Sequence, residues 1–374
     1  MPTLGLYLHI PFCRSKCLYC DFCSVPHAAG ERMEAYADAL GRELLARAGD
    51  CRDYTVDTVY FGGGTPTCLP PEVLCGLLGT VLSHYNVAED AEITTECNPG
   101  TVTPEDLAKL RQGGFNRLSM GLQSAQAGEL RALGRLHSFA DFAKTFRAAR
   151  AAGFANISAD VMFGIPHQTA ESFADTLEKL CDLRPDHVSA YALTVEEGTP
   201  FGRRGAAALN LPDEEAVREV YLGMVEFLGK RGLAQYEISN FARAGYESRH
   251  NLKYWTLGEY LGFGPAAYSD FGGARFGNSR DLDGYLAGRD ITAERERPTA
   301  KTRASERAML GLRLARGLEA EELGAARCAV LDRYIPAGLA KRTGNRYALT
   351  PAGMLVSNAI LSELIDFSED PSVK

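Results

Sequence analysis

Between residue 5 and about residue 240, short β-rich runs alternate with longer stretches of helical period, and this alternation restricts the possible folds more than any other feature. The runs are GLYLHI (5–10), DTVYF (57–61), EITTEC (92–97), RLSMGL (117–122), ISADVMF (157–163) and HVSAYALTV (187–195). Strands separated by a dozen or more residues of helical pattern pair in parallel, because the helix carries the chain back across the sheet. Val73, Leu74, Leu77, Leu78, Val81 and Leu82 form one apolar face when wound as a helix, as do Val217, Tyr221, Met224 and Leu228. Thr103 before Pro104 reads as a helix start, and Gly113, Gly114 and Gly153 read as helix ends. Six such units predict an α/β barrel, closed or partly open, with its chemistry at the carboxyl ends of the strands.

Beyond this barrel domain (1–240) the texture changes. Residues 241–300 are rich in Gly and aromatics, including HNLKYW (250–255), and read as an irregular connecting and covering region. Residues 301–374 carry helical stripes around a short RYALT run (346–350), which predicts a small helix-rich α+β terminal domain. The 374 residues are long enough for two domains. Charges of 40 Lys+Arg against 48 Asp+Glu leave a net −8, which argues against nucleic acid as a partner. The opening MPTLGLYLHIPFC lacks a signal peptide's basic segment and cleavage site, so a cytoplasmic protein is expected.

In a reducing compartment a tight group of cysteines points to metal or redox chemistry. Cys13, Cys17 and Cys20 follow the first strand on one loop (11–24) that also carries Cys23. Thiolates ligate both iron–sulfur clusters and zinc, and these spacings let one loop wrap a cubane while leaving one iron open. Four thiolates including Cys23 also suit tetrahedral zinc, although zinc frameworks usually draw cysteine pairs from separated segments. Further along, Gly62-Gly63-Gly64-Thr65-Pro66 follows a strand directly, where absent Cβ atoms permit close backbone approach to a ligand. Glu96, Gln123, Arg135 and Asp160 lie at or just after successive strand ends, so a barrel brings them to one rim.

The segment LYLHIPFCRSKCLYCDF resembles the signature of radical S-adenosylmethionine (SAM) enzymes, in the branch that holds oxygen-independent coproporphyrinogen III oxidase and the HemW-type haem chaperones. The resemblance continues through YFGGGTPTCL, TTECNPG, LSMGLQS, LGRLH, ISADVMFGIP, YALTVEEGTP and HNLKYW, and so covers nearly the whole chain. It implies a partial (β/α)6 barrel holding a [4Fe–4S] cluster on Cys13, Cys17 and Cys20. It also implies SAM contacts from Tyr7, Tyr19, Gly63, Gly64, Thr65, Glu96, Gln123 and Ala192, with Arg135 on the SAM carboxylate and Asp160 on the ribose.

In the same branch HN-x2-YW is associated with haem, which implies haem contacts from His250, Tyr254 and Trp255. Taken without the resemblance, that segment reads as an aromatic knot closing the barrel. The oxidase has a long arm before its cluster loop and a fourth cysteine two residues after the third. Here 12 residues precede Cys13 and position 22 is Phe, which points to the chaperone. The expected activity is therefore haem transfer to acceptors such as respiratory enzymes, with an electron donor for the cluster and peripheral membrane contact through the acceptors. Coproporphyrinogen oxidation, a related methyltransferase and a structural zinc protein are the rival readings.

Overall fold

The computed structural model describes residues 1–365. All six expected strands form: β1 (Thr3–Ile10), β2 (Thr55–Gly63), β3 (Val87–Cys97), β4 (Arg117–Gln123), β5 (Asn156–Phe163) and β6 (His187–Ala192). They pair in parallel and in chain order. The crossovers are helical: α1 (Gly30–Arg47), α2 (Pro71–His84), α3 (Pro104–Gln112), α4 (Ala127–Leu133), α5 (Phe139–Ala151) and α6 (Ala170–Asp182), with α7 (Glu214–Lys230) after β6. Helix α2 buries Leu74, Leu77, Leu78 and Val81, whereas Leu82 at the edge of its stripe is exposed. At the start of α3, Thr103 accepts from the Asp106 amide and the Asp106 carboxylate accepts from the Thr103 amide. Such a reciprocal cap satisfies two amides that the first turn leaves unpaired, and losing it costs about 1 kcal/mol.

The covering region differs from its expected irregular form. β7 (Ala234–Glu237) and β8 (Asn240–Ala242) add antiparallel strands beside β6. After helix α8 (Arg249–Trp255), β9 (Tyr260–Phe263) pairs in parallel with the far side of β1. β10 (Tyr268–Phe271), β11 (Ala274–Asn278) and β12 (Thr292–Glu296) then run outward as an antiparallel meander. These strands are short and lack clean alternation, so their pairing with a pre-existing edge defines them more than their composition does. The single sheet runs β12-β11-β10-β9-β1-β2-β3-β4-β5-β6-β8-β7. The sheet is open, with β12 at one end and β7 at the other.

A separate three-stranded sheet forms from β13 (Leu318–Glu319), β14 (Ala340–Thr343) and β15 (Arg346–Leu349). Its buried Leu318, Tyr347 and Leu349 are nevertheless continuous with the barrel core. Residues 366–374 of the expected terminal unit lie outside the described residues. Among the described residues no helix is long and apolar enough to cross a membrane.

Candidate cofactor-binding site

The cysteine loop is tied to its own base. Phe12–Cys13 pairs with Val25–Pro26, the Val25 amide donates to the Pro11 carbonyl at 2.7 Å, and the His27 amide donates to the Cys13 carbonyl at 3.1 Å. Its middle is held by the Leu18 amide on the Leu133 carbonyl and the Phe201 amide on the Leu18 carbonyl. Cys13, Cys17, Cys20 and Cys23 are all half-buried and line one cavity of about 1140 Å³. Burial raises the pKa of the Cys13 and Cys20 thiols. Among the described residues, no three His, Cys, Asp or Glu side chains are placed to hold one metal ion. A single zinc ion draws its ligands to one point, whereas a cubane takes each thiolate at a different corner. Three thiols on one loop can each take a different corner of a cubane. The Cys23 carbonyl accepts from the His9 Nε2–H at 2.9 Å.

The glycine segment acts differently from a free amide cradle. The Gly64 amide donates to the Ile10 carbonyl (2.9 Å) and the Thr65 amide to the Phe12 carbonyl (2.7 Å), while the Gly63 amide donates to Glu96 Oε2 (3.1 Å). All three amides are consumed inside the protein. Glycine is needed here because a Cβ on Gly63, at φ +110°, would lie 2.5 Å from the His9 ring, and one on Gly64 would lie 2.6 Å from the Phe12 carbonyl. The segment thus packs against the root of the cysteine loop. Thr65 Oγ1 reaches Cys13 Sγ at 3.6 Å.

Glu96, Gln123, Arg135 and Asp160 meet at the rim. Tyr60 donates to Glu96 Oε1 at 2.9 Å, and burial followed by the nearby Asp160 carboxylate pushes Glu96 up to about 7. Ser119 donates to Asp160 Oδ1 at 3.1 Å, and burial raises Asp160 as well. Arg135 donates from Nη1 to Cys17 Sγ at 3.5 Å and from Nη2 to Asn98 Oδ1 at 2.6 Å. Gln123 adopts φ +67°, in the left-handed region, where β4 breaks register with β5. Tyr7, Tyr19 and Ala192 line the same cavity. Every sequence-derived candidate except His250 and Trp255 does so.

Residues 7–180 match the model of the radical SAM superfamily. The heme chaperone HemW of Mycobacterium tuberculosis (strain ATCC 25618 / H37Rv) is 37% identical over 368 residues, spanning 96% of this chain and 94% of that protein. HemW of Bacillus subtilis (strain 168) is 33% identical over 376 residues, spanning 96% and 98%. This chain belongs to the HemW family of radical SAM proteins. The HemW-family fold is shared with coproporphyrinogen III oxidase (HemN) from Escherichia coli, a radical SAM enzyme. Its solved structure matches at a TM-score of 0.84 and 25% identity, covering 98% of this chain and 90% of that one. Membership in the superfamily implies a [4Fe–4S] cluster and SAM.

Within this HemW-family barrel the HNLKYW segment forms α8 beneath the cavity. Glu92 accepts the Arg249 and His250 amides at 3.0 Å each, and Ser248 caps the helix. His250 is 1% exposed, with Nδ1 hydrogen-bonded to Thr58 Oγ1 (2.8 Å) and Nε2 to the Tyr254 hydroxyl (2.9 Å). Its ring stacks on Tyr60 at 5.1 Å, and burial lowers its pKa to about 3. As folded, it offers no free nitrogen to a haem iron. Tyr254 and Asn251 line the cavity, while Trp255 is half-buried outside its lining.

Sequence reading passed over Asn98, whose Nδ2 donates to Thr65 Oγ1 at 2.7 Å and whose Oδ1 accepts from Arg135. Thr65, Asn98 and Arg135 thereby form a chain from Cys13 to Cys17. Ser119, Tyr60 and His9, which orient Asp160, Glu96 and the cysteine loop, were likewise without signal. The alternating pattern of β4 could have exposed Ser119, since it shares a face with Gln123.

Proposed function

We propose that this chain is a haem chaperone that binds a [4Fe–4S] cluster, SAM and haem, and passes haem to acceptor proteins such as respiratory enzymes. The observation carrying this reading is one cavity that gathers three thiols from a single loop, an arginine and two half-buried carboxylates, in a chain aligned with HemW along nearly its whole length. Cys13, Cys17 and Cys20 hold the cluster. The Arg135 fork takes the SAM carboxylate, as a planar guanidinium matches a carboxylate with two donors. Glu96 takes the ammonium, and the Asp160 oxygens, oriented by Ser119, take the ribose hydroxyls. Tyr7, Tyr19, Gln123 and Ala192 complete the walls. When bound, cluster and SAM together supply one-electron reduction of the sulfonium, fed by an external electron donor. The chain acts in the cytoplasm and meets membranes only through its acceptors.

The second reading, coproporphyrinogen III oxidation, is favoured by the likeness to HemN. Anaerobic titration of the purified, cluster-loaded protein with haem, followed by incubation with coproporphyrinogen III, SAM and reductant, separates the two. The chaperone reading predicts a stoichiometric haem complex and no protoporphyrinogen IX. Product accumulating over many turnovers would replace it with the oxidase.

A further inference from the structure

The floor of the cavity holds a cation that none of these roles uses. At alternate positions β4 sends Arg117, Ser119, Gly121 and Gln123 into the barrel. Arg117 therefore lies about 20 Å below Gln123 along the strand, far from the cysteine loop. It is 2% exposed and lines the cavity, yet its guanidinium makes no hydrogen bond to any described residue, and its Nε is sealed from solvent without a hydrogen-bond partner. Buried guanidinium groups are ordinarily hydrogen-bonded.

The charges around Arg117 do not satisfy it. Glu92 on β3 is its ion-pair partner at 4.0 Å from Nε, and both Glu92 oxygens already accept backbone amides of α8. Glu96 on β3 is held by Tyr60 and Gly63, and Asp160 on β5 by Ser119. These carboxylates lie near the guanidinium, but none of them accepts a hydrogen bond from it. The cavity that Arg117 lines also has aromatic walls, from Tyr60, Tyr191, Tyr254 and Tyr260. Tyr191 is 43% exposed.

We infer that Arg117 anchors a propionate carboxylate of a tetrapyrrole whose ring lies among these tyrosines. A carboxylate is the ligand group that fills a guanidinium fork with two parallel hydrogen bonds, and a flat macrocycle packs on aromatic walls. This assignment rests on the haem reading above and adds the place and the group that recognises haem. The SAM carboxylate is the other source of the same chemistry, but Arg135 stands beside the cysteine loop for it.

The test compares haem with haem dimethyl ester, by Soret titration of cluster-loaded wild type, Arg117→Leu and Arg117→Lys. Wild type is expected to prefer the free acid by roughly tenfold or more, as a charged hydrogen-bonded contact implies. Arg117→Leu removes that preference and Arg117→Lys keeps part of it, with SAM affinity within about twofold of wild type in both. Equal affinity of wild type for acid and ester overturns the anchor, and this arm stands even if Arg117→Leu fails to fold. SAM and decarboxylated SAM are titrated in parallel. If Arg117→Leu erases their difference and leaves the haem-to-ester ratio intact, the anchor serves SAM and the tetrapyrrole assignment falls. Wild type that binds neither porphyrin removes the haem reading itself, a result distinct from binding without discrimination.

Discussion

The rim and the floor of the barrel are built by the same strands but treat polar groups in opposite ways. At the rim, Thr65, Asn98 and Arg135 link side chain to side chain and end on cysteine sulfurs, with the residues drawn from strand ends and loops. At the floor, Thr58, His250 and Tyr254 close upon one another, and Glu92 is saturated by the first amides of α8. A side chain whose partners are all within the protein contributes to stability, whereas one left with spare donors or acceptors beside a cavity is set for a ligand. Arg117 is the exception at the floor. The difference teaches that residue type alone does not mark a binding group: His250 has the chemistry of an iron ligand but the surroundings of a structural residue.

The strongest way to break the comparison is at the cysteines. If the rim thiols hold a cubane, Cys13→Ala, Cys17→Ala or Cys20→Ala should abolish it, taking anaerobically prepared protein from about four irons per chain to nearly none. Cys23→Ala should leave the iron in place. Acid-labile sulfide and iron analysis decides, and stoichiometric zinc without sulfide would overturn the assignment.

Next in size are the SAM contacts. Asp160→Asn and Arg135→Leu each remove hydrogen bonds involving a charge, worth about 1.5–3 kcal/mol, so SAM affinity should fall roughly tenfold or more while the cluster spectrum persists. Calorimetric titration checks this. Unchanged affinity in both variants would mean that the rim does not hold SAM.

What could be read from sequence followed the same division. The parallel strands were legible because each contains a short β-rich run bounded by helical period; only their ends moved, with β3 starting at Val87 and β6 stopping at Ala192. The rim residues were legible because strand ends of an α/β barrel converge and because the motifs resemble a known family. Asn98 was not, since a lone polar residue before Pro99 reads as a turn. Nor were β9 to β12, whose pairing depends on the free side of β1, a long-range feature with no local pattern. The double hydrogen bonding of His250 was equally hidden, because Thr58 lies 192 residues away in sequence.

A pH profile sharpens the rim further. Burial and the Asp160 charge raise Glu96 to about 7, so the protein without SAM holds it largely protonated at pH 6 and largely ionised at pH 8. An ammonium is held by the carboxylate and not by the neutral acid. SAM affinity should therefore rise with pH, by up to roughly tenfold between pH 6 and 8, and Glu96→Gln should flatten the profile. A wild-type affinity that stays level or falls over this interval would remove Glu96 from the ammonium.

The smallest expected effect on cofactor binding comes from the floor. His250→Ala deletes two buried hydrogen bonds, each contributing about 1 kcal/mol, and leaves a cavity under Tyr60, so stability should drop by about 2–4 kcal/mol. Trp255→Ala, at a half-buried position, should cost less. Iron content and SAM affinity should remain those of wild type in both, because neither side chain lines the cavity. Burial holds the folded imidazole neutral with a pKa near 3, while the unfolded chain protonates it below about 6.5, so the stability lost in His250→Ala should be larger at pH 8 than at pH 6, by roughly 1 kcal/mol. Denaturant unfolding at both pH values measures the stability term, and a Soret spectrum with bound haem measures the alternative. If His250→Ala displaces the Soret band while leaving stability intact, the ring leaves its two hydrogen bonds to serve the iron, and floor and rim are both ligand-binding surfaces.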